Sequence, residues 1–293
     1  MHEERSVIVG DVKKGFTAKY AAQAFAFAPG TRLEDIATDD SPGFDGGKKD
    51  GHRALAAESH ELANLQERLW AAGSTGDKRR ILLVLQGMDT AGKGGIVNHV
   101  VGAVPMGVEY TAFKAPTPAE KRHDFLWRIR NALPGRGHIG IFERSHYEDV
   151  LIGRVRELAP TDEIEARYDQ INNFEQELVD ASTTVIKVML HLSRAEQRDR
   201  LTKRLRRPDK YWKFNPGDID ERELWPAYQE AYQVALERTS TPDAPWFVIP
   251  ADHKWFARLA VQRLLLDALR SFELAWPPAD YDVEEQKARL AKT

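Results

Sequence analysis

Short, continuous apolar runs alternate along the chain with longer segments in which apolar residues recur every three or four positions. The continuous runs predict five buried strands, at 80–86, 108–113, 138–143, 183–192 and 245–251. The amphipathic segments predict helices, at about 54–71, 93–104, 117–133, 162–182, 195–208 and 220–238, and after 251 to about 274. Strands that alternate with helices are typical of a parallel sheet. The pattern therefore predicts an α/β fold, with a parallel sheet of about five strands and helices on both faces.

The segments outside this pattern indicate how the chain is organised. Residues 1–54 are irregular, and their second half is dense in Gly, Pro and Asp, which predicts an N-terminal arm made of turns. A strongly basic segment at about 200–220 is predicted to be a helical insertion. Because the sequence shows no internal repeat and no linker, one domain over residues 1–293 is the simplest interpretation.

Composition narrows the classes of function. Of the 293 residues, 42% are hydrophobic and 30% are charged, and the net charge is −3, which is typical of a soluble globular protein. The chain has no cysteine, which excludes disulfides, thiol catalysis and cysteine-bound metals and fits a reducing compartment. No apolar run approaches the roughly 18 residues that a membrane helix needs, and the start lacks the layout of a signal peptide. We therefore expect a cytoplasmic protein that does not bind membranes.

The segment between the first strand and the next helix reads G-x-x-x-x-G-K, from Gly87 to Lys93. A strand before this motif and a helix after it are the context of a phosphate-binding loop. There the backbone N–H groups and the positive helix end face an anion, and the lysine adds a mobile charge. A plain Gly-rich turn is the alternative. Besides Lys93, the predicted phosphate-binding residues of the loop are Gly87, Met88, Thr90, Ala91, Gly92, Gly94 and Gly95.

The residue after the motif lysine normally carries a hydroxyl that binds Mg²⁺, but here it is Gly94. Asp89 lies within the loop, where a carboxylate beside phosphates is unfavourable unless a cation lies between them. Asp89 is therefore the candidate Mg²⁺ ligand, and a cap for the following turn is the alternative. Glu143, at the end of the third strand, is the candidate second ligand, because Mg²⁺ takes one or two carboxylates. Arg144 follows it directly, so a surface ion pair is the alternative for Glu143.

The basic segment over 194–213 contains nine Lys and Arg residues against three acidic ones. Arg200, Arg204 and Arg207 recur at i, i+4 and i+7, so they share one helix face, and Lys210 follows a break at a proline. A basic flap over a phosphate site predicts a kinase lid, which closes to exclude water from phosphoryl transfer. A solvated helix face is one alternative. Nucleic-acid binding is another, because aromatic residues alternate with the charges.

A smaller basic group lies between the second and third strands and comprises Lys114, Arg122 and Arg128. In nucleotide kinases this region binds the phosphate of the acceptor, so these residues are candidate phosphate or nucleotide ligands. The sequence contains no H-E-x-x-H metal motif, no G-x-S-x-G elbow and no N-K-x-D guanine motif. Metalloprotease, hydrolase and GTPase functions are accordingly disfavoured.

Five separated motifs together resemble the family-2 polyphosphate kinases over roughly residues 40–275. They are GMDTAGKGG, FKAPTPAE with FLWR, IGIFERSHYEDVL, RLRRPDKYWKFNPGDIDER and APWFVIPADHKWFAR. The stretch RSHYEDVL is most similar to the class III subgroup, whose members phosphorylate nucleoside mono- and diphosphates from inorganic polyphosphate. The resemblance implies a P-loop kinase core with a helical lid, assembled into dimers or tetramers. It also implies that Asp89 and Lys93 are the loop acid and lysine, that Arg144 follows the strand-end acid, and that Arg204 and Arg207 belong to the lid motif.

The function that follows from this resemblance is Mg²⁺-dependent transfer of a phosphoryl group between polyphosphate and nucleotides, from AMP to ADP and from ADP to ATP. Guanine nucleotides are further candidate acceptors, and Mn²⁺ is the alternative metal. In this scheme Asp89, with Glu143, holds the metal, and Lys93 and Arg144 hold the reacting phosphates. Two other classes stay open at this point, an ATP-dependent kinase on the same fold and a polyphosphate- or nucleic-acid-binding protein without turnover.

Overall fold

The computed structural model describes residue 16, residues 21–103 and residues 106–293. Much of the predicted N-terminal arm, at 1–15 and 17–20, therefore lies outside the described residues. A short helix, α1, spans Ala22–Phe25, and a long helix, α2, spans Lys48–Ser74, so α2 begins before the predicted residue 54. Within this described part of the chain, no helix is long and apolar enough to cross a membrane.

The five predicted strands form one sheet in the part of the chain that the structure describes. They are β1 (Arg80–Gln86), β2 (Val108–Ala112), β3 (Ile139–Glu143), β4 (Thr183–His191) and β5 (Trp246–Pro250). Their order is β2-β3-β1-β4-β5, and every neighbouring pair is parallel. The continuous apolar run of β1 places it at the centre, where both of its faces are covered. The predicted α/β fold is confirmed.

Helices cover both faces of this sheet. Besides α1 and α2, the helices of the described residues are α3 (Lys93–His99), α4 (Trp127–Arg130), α5 (Ile152–Val155), α6 (Thr161–Asp180), α7 (Arg194–Leu205), α8 (Gly217–Glu223), α9 (Trp225–Thr239), α10 (Lys254–Ser271) and α11 (Val283–Leu290). Along β1, Ile81 and Leu83 pack with residues of α2, α3 and α10, whereas Leu82 and Val84 pack with residues of α6 and α9. The alternation of side chains along a strand thus divides the core into two layers.

The predicted helix over 117–133 is wrong. Thr117 and Glu120 do form the expected capping box, since the N–H of Thr117 donates to Oε2 of Glu120 at 2.7 Å and the N–H of Glu120 donates to Oγ1 of Thr117 at 3.2 Å. However, this box opens only a 3₁₀ turn over Glu120–Arg122. The carboxylate of Asp124 then accepts the N–H of Leu126 at 3.0 Å, which competes with helical hydrogen bonding. The single turn of α4 follows this break.

Other helices also differ from the sequence prediction, and α7 ends at Leu205 where residue 208 was expected. The predicted helix over 93–104 ends at His99, and a 3₁₀ turn follows at Val101–Ala103. The predicted helix over 220–238 is two helices, α8 and α9, because Pro226 has no N–H to continue α8 and instead lies in the first turn of α9. Helix α11 was not predicted, although the side chain of Asp282 caps it in the manner typical of a helix start.

Candidate active site

The phosphate-binding loop connects β1 to α3 at the carboxyl edge of the sheet. Its path requires left-handed backbone conformations, with φ of 148° at Gly87, 68° at Thr90 and 123° at Gly92. A Cβ added at Gly87 would lie 2.8 Å from the carbonyl oxygen of Leu190, so the glycine allows the loop to approach β4 closely. Open parallel sheets bind ligands at this edge, beside the central strand.

Lys93 lies in the first turn of α3 and is almost fully buried, with an exposed fraction of 7%. Its Nζ donates to the carbonyl of Gly87 at 2.6 Å, so the loop folds around the ammonium group. Burial lowers the pKa of Lys93, and the nearby carboxylate of Asp89 acts against that shift. This arrangement holds the lysine at the floor of the loop, where it can neutralise a phosphate.

Asp89 and Arg144 are direct partners in the structure. Nη2 of Arg144 donates to Oδ1 of Asp89 at 3.0 Å, and its Nη1 lies 3.7 Å from Oε2 of Glu148. Burial alone would lower the pKa of Arg144, but the carboxylates of Glu148 and Asp89 raise it above its ordinary value. Arg144 also has a positive φ of 62°, a strained conformation for a non-glycine residue and one that is frequent at functional sites. The structure thus places a permanently charged guanidinium beside the loop carboxylate.

Glu143 ends β3 and lies next to the loop. A Cβ added at Gly94 would lie 4.0 Å from Oε2 of Glu143, so the carboxylate stands beside the position from which a loop hydroxyl would normally extend. The same oxygen accepts a hydrogen bond from the hydroxyl of Tyr110 at 2.6 Å. Burial and this carboxylate raise the pKa of Tyr110 above its ordinary value, so the tyrosine stays a donor. Glu143 is therefore oriented by β2 and lines the cavity beside Gly94.

These groups line a cavity of about 1010 Å³ between the loop and the predicted lid. Among the described residues, its lining has two acidic side chains, those of Asp89 and Glu143, and a large excess of basic ones. The Lys and Arg residues of the lining are Lys93, Lys114, Arg144, Arg200, Lys203, Arg204, Arg207, Lys210, Lys213, Lys254 and Arg258. A concave surface with so strong an excess of positive charge attracts polyanions. The chemistry of the site therefore fits a ligand made of phosphates.

Most of the predicted site residues meet in this cavity, but some do not. Thr90, Ala91, Gly92, Gly94 and Gly95 line it together with the charged residues named above. By contrast, Met88 packs in the core. Two of the predicted acceptor ligands lie away from the lining: Arg122 is exposed and donates to the carbonyl of Pro118, and Arg128 donates to the carbonyl of Lys114.

Several functional candidates were not singled out from the sequence. Lys254 and Arg258 reach the cavity from α10, and the guanidinium of Arg258 lies 3.5 Å from a Cβ added at Gly95. Tyr110 and Glu148 hold Glu143 and Arg144, respectively. Glu148, Lys254 and Arg258 lie within the motifs that resemble the family, but the residues alone do not indicate contact with the loop, which arises from the arrangement of β2, β3 and α10 around it.

A family model described as polyphosphate kinase 2 matches residues 46–275 of the chain. The chain belongs to the polyphosphate kinase 2 family. It is 44% identical over 246 residues to an AMP/ADP-polyphosphate phosphotransferase of Meiothermus ruber, which covers 84% of this chain and 91% of that protein. It is 40% identical over 243 residues to an ADP-polyphosphate phosphotransferase of Rhodopseudomonas palustris, covering 78% of this chain and 83% of that one. The crystal structure of polyphosphate kinase 2 from Arthrobacter aurescens TC1 is similar with a TM-score of 0.92 and 52% identity, over 95% of this chain and 98% of that one.

Membership of the polyphosphate kinase 2 family confirms the prediction of an enzyme that transfers phosphoryl groups between polyphosphate and nucleotides. It also fits the basic cavity, because polyphosphate has no base or sugar and can be recognised through its charge alone. Family membership does not assign the roles of individual side chains, the identity of the metal or the choice of acceptor. We propose these from the geometry of the site.

Proposed function

We propose that this polyphosphate kinase uses both AMP and ADP as acceptors and depends on Mg²⁺. The observation that carries the proposal is the cavity, in which two carboxylates stand among an excess of Lys and Arg residues next to the phosphate-binding loop. A purely basic pocket would suffice to bind polyphosphate, whereas carboxylates within it repel phosphate unless a cation is present. The Meiothermus ruber relative, named for both AMP and ADP, supports the choice of acceptors.

The donor set of the site fits Mg²⁺. Asp89 and Glu143 offer carboxylate oxygens, and Mg²⁺ usually takes one or two of these and completes its shell with water and phosphate oxygens. Within the part of the chain that the structure describes, no group of three or more acidic or histidine side chains forms a closed metal cage. A bound Mg²⁺ would neutralise charge between donor and acceptor phosphates, and Mn²⁺ would satisfy the same ligands.

The acceptor needs no general base. The terminal phosphate of AMP or ADP is already largely ionised at neutral pH, since the second pKa of a phosphate is about 6. The protein therefore has to align two polyanions and offset their repulsion. In this proposal Lys93 and the loop N–H groups bind the reacting phosphates, and Arg144 stabilises the charge that develops between them. Arg204 and Arg207 bind the polyphosphate chain from the lid side.

The test is an assay of purified protein with Mg²⁺ and long-chain polyphosphate, in which AMP and ADP are offered separately and the products are separated by chromatography. ADP and ATP from AMP, without added ATP, are the expected products. If ATP forms from ADP but AMP gives no product, phosphoryl transfer from polyphosphate stands and the use of AMP is contradicted. Turnover that requires ATP as donor would contradict the proposal as a whole.

A further inference from the structure

Arg200 is unusual among the cations of the cavity because every N–H group of its guanidinium is hydrogen-bonded within the protein. Its exposed fraction is 3%. Nε donates to Oε1 of Glu196 at 2.8 Å, Nη1 donates to the carbonyls of Thr90 and Ala91 at 2.9 and 3.0 Å, and Nη2 donates to two carbonyls just after β5 at 2.6 and 2.9 Å. A guanidinium has five N–H donors and no acceptor, so these bonds use its full capacity. Arg200 therefore supports the cavity wall and does not offer N–H groups to phosphate.

Gln197 lies one helical turn before Arg200 and acts on the same loop. Its Nε2 donates to the carbonyl of Asp89 at 3.1 Å, and its Oε1 accepts from Nη1 of Arg222 at 3.0 Å. With an exposed fraction of 1%, the amide is buried between the loop and the predicted lid. The carbonyls of residues 89–91 are consequently all held by two side chains of α7.

These bonds determine where the loop N–H groups point. In a planar trans peptide the C=O and the following N–H point in opposite directions. Carbonyls that are held towards α7 therefore direct the N–H groups of Thr90 and Gly92 away from that helix, and both residues line the cavity. The N–H of Ala91, between them, bonds instead to the carbonyl of Met88 at 3.0 Å. Because the positive φ of Thr90 is intrinsically unfavourable, the loop needs outside contacts to keep this shape.

The start of α7 is also fixed to the sheet. The N–H of Ser193 donates to Oδ1 of Asp252 at 2.8 Å, and Oγ of Ser193 accepts the N–H of Glu196 at 3.0 Å as the helix cap. The first two turns of α7 are thus bonded both to the segment after β5 and to the phosphate-binding loop. The cavity-lining cations Arg204 and Arg207 follow directly after this fixed part.

We propose that Arg200 and Gln197 are positioning residues for phosphoryl transfer. They hold the loop carbonyls so that the loop N–H groups face the phosphate, and they connect that loop to the base of the lid without contacting the substrate. The kinetic part of this inference rests on the function proposed above, whereas the orientation of the loop can be tested without turnover.

The kinetic test compares Arg200→Lys and Gln197→Leu with two matched exposed controls, Arg289→Lys and Gln176→Leu, at a temperature well below the Tm of every variant. We expect kcat to fall by ~100-fold for Arg200→Lys and by ~10-fold for Gln197→Leu, the scale of a disturbed electrostatic contact, with both controls close to wild type. The KM for polyphosphate should change by less than ~3-fold, because the cations that face the substrate are kept.

An unchanged kcat together with a lower Tm would mean that the two residues only stabilise the fold and would overturn the inference. A KM for polyphosphate that rises while kcat is unchanged would overturn it too, because Arg200 would then bind phosphate directly.

The second test follows the amide of Thr90, whose peptide carbonyl Gln197 holds, in protein labelled with ¹⁵N-threonine while inorganic tripolyphosphate is added. In the wild type this amide should shift on binding, and in Gln197→Leu the shift at saturation should be less than about half as large, because the loop is no longer held. An equal shift in both proteins, or none in the wild type, would refute the proposed orientation. Because tripolyphosphate binding needs no acceptor, this result separates the role of the two residues from the identity of the reaction. This comparison still tests the proposal if Arg200→Lys does not fold, because it uses only the wild type and Gln197→Leu.

Discussion

Replacing Lys187 by methionine tests a buried ion pair that joins β4 to α6. Lys187 on β4 and Glu175 on α6 have exposed fractions of 0% and 1%, and Nζ lies 2.6 Å from Oε2. Nζ also donates to the carbonyl of Thr239 at 2.6 Å and to the hydroxyl of Tyr147 at 3.1 Å. Methionine keeps the apolar stem of the lysine but removes all of these donors. Its main effect is therefore to leave a carboxylate without its cation in the core.

The size of the destabilisation depends on whether the unpaired carboxyl of Glu175 takes up a proton. Burial alone would raise the pKa of Glu175, but Lys187 and His146 hold it below its ordinary value of 4.5. Without Lys187 the carboxyl is expected to take up a proton, which at pH 7 costs about 3.4 kcal/mol, since one pKa unit corresponds to about 1.4 kcal/mol. Breaking a buried pair commonly costs about 3–5 kcal/mol. We therefore expect the free energy of unfolding to fall by about 4 kcal/mol at pH 7.

The pH dependence gives the sharper test. A carboxyl with a depressed pKa stabilises the fold fully above its ordinary pKa and loses that contribution as the pH falls through the lower, folded value. Between pH 7 and pH 5 the contribution of Glu175 in the wild type is therefore constant. In Lys187→Met the cost of protonation falls to about 0.7 kcal/mol at pH 5, so the destabilisation should shrink to about 1–2 kcal/mol.

Urea unfolding at pH 7 and pH 5 measures both values. The double variant with Glu175→Gln should regain much of the lost stability, because no carboxylate is then left unpaired. Lys287→Met is the matched control, since Lys287 pairs with Glu284 on the surface of α11, and its cost should stay below about 0.5 kcal/mol. An equal loss at both pH values, or a double variant no more stable than the single one, would refute the reasoning.

Further variants test the proposed roles around the cavity. Asp89→Asn should lower kcat by ~100-fold or more without loss of stability, and normal turnover at saturating Mg²⁺ would contradict the metal assignment. Lys93→Ala should lower kcat to a similar extent, and a mild effect would show that the loop does not hold the reacting phosphate. Arg204→Ala and Arg207→Ala should each raise the KM for polyphosphate by ~3–10-fold and reduce its salt dependence, measured by titrating KCl; an unchanged KM would place polyphosphate elsewhere.

Features that depend on local sequence could be predicted well. The five strands are continuous apolar runs, and a strand buried on both faces needs little else to be recognised. The loop could be placed because its glycines are required by the backbone, as the φ of 148° at Gly87 and the close approach to β4 show. The capping box at Thr117 was also correct as a local feature, although the helix expected after it was not. Helix length depends on competition from residues such as Asp124, which periodicity does not detect.

Features that depend on which elements become neighbours could not be predicted. Helical spacing groups Arg200 with Arg204 on α7, but Arg207, which was expected on the same helix face, lies beyond the end of α7 and has an extended backbone. The spacing also does not say that the start of that helix is bonded to the loop. Likewise, Lys254 and Arg258 are far from the loop in sequence and reach it because α10 packs beside α3. The sequence also does not show that the guanidinium of Arg128 packs over the ring of Phe113, and its role as an acceptor ligand stays a prediction.

The order of the strands has a consequence for how the chain is made. The central strand β1 pairs with β3 and β4, which are completed at Glu143 and His191, and not with β2, which follows it in sequence. At ribosomal rates of about 5–20 residues per second, β1 emerges roughly 5–20 s before β4 is available to cover its second edge. During this interval the apolar central strand β1 is exposed on an incomplete sheet. Polypeptide binding by chaperones is therefore most needed between the synthesis of β1 and that of β4, and pauses in translation within this interval should increase aggregation.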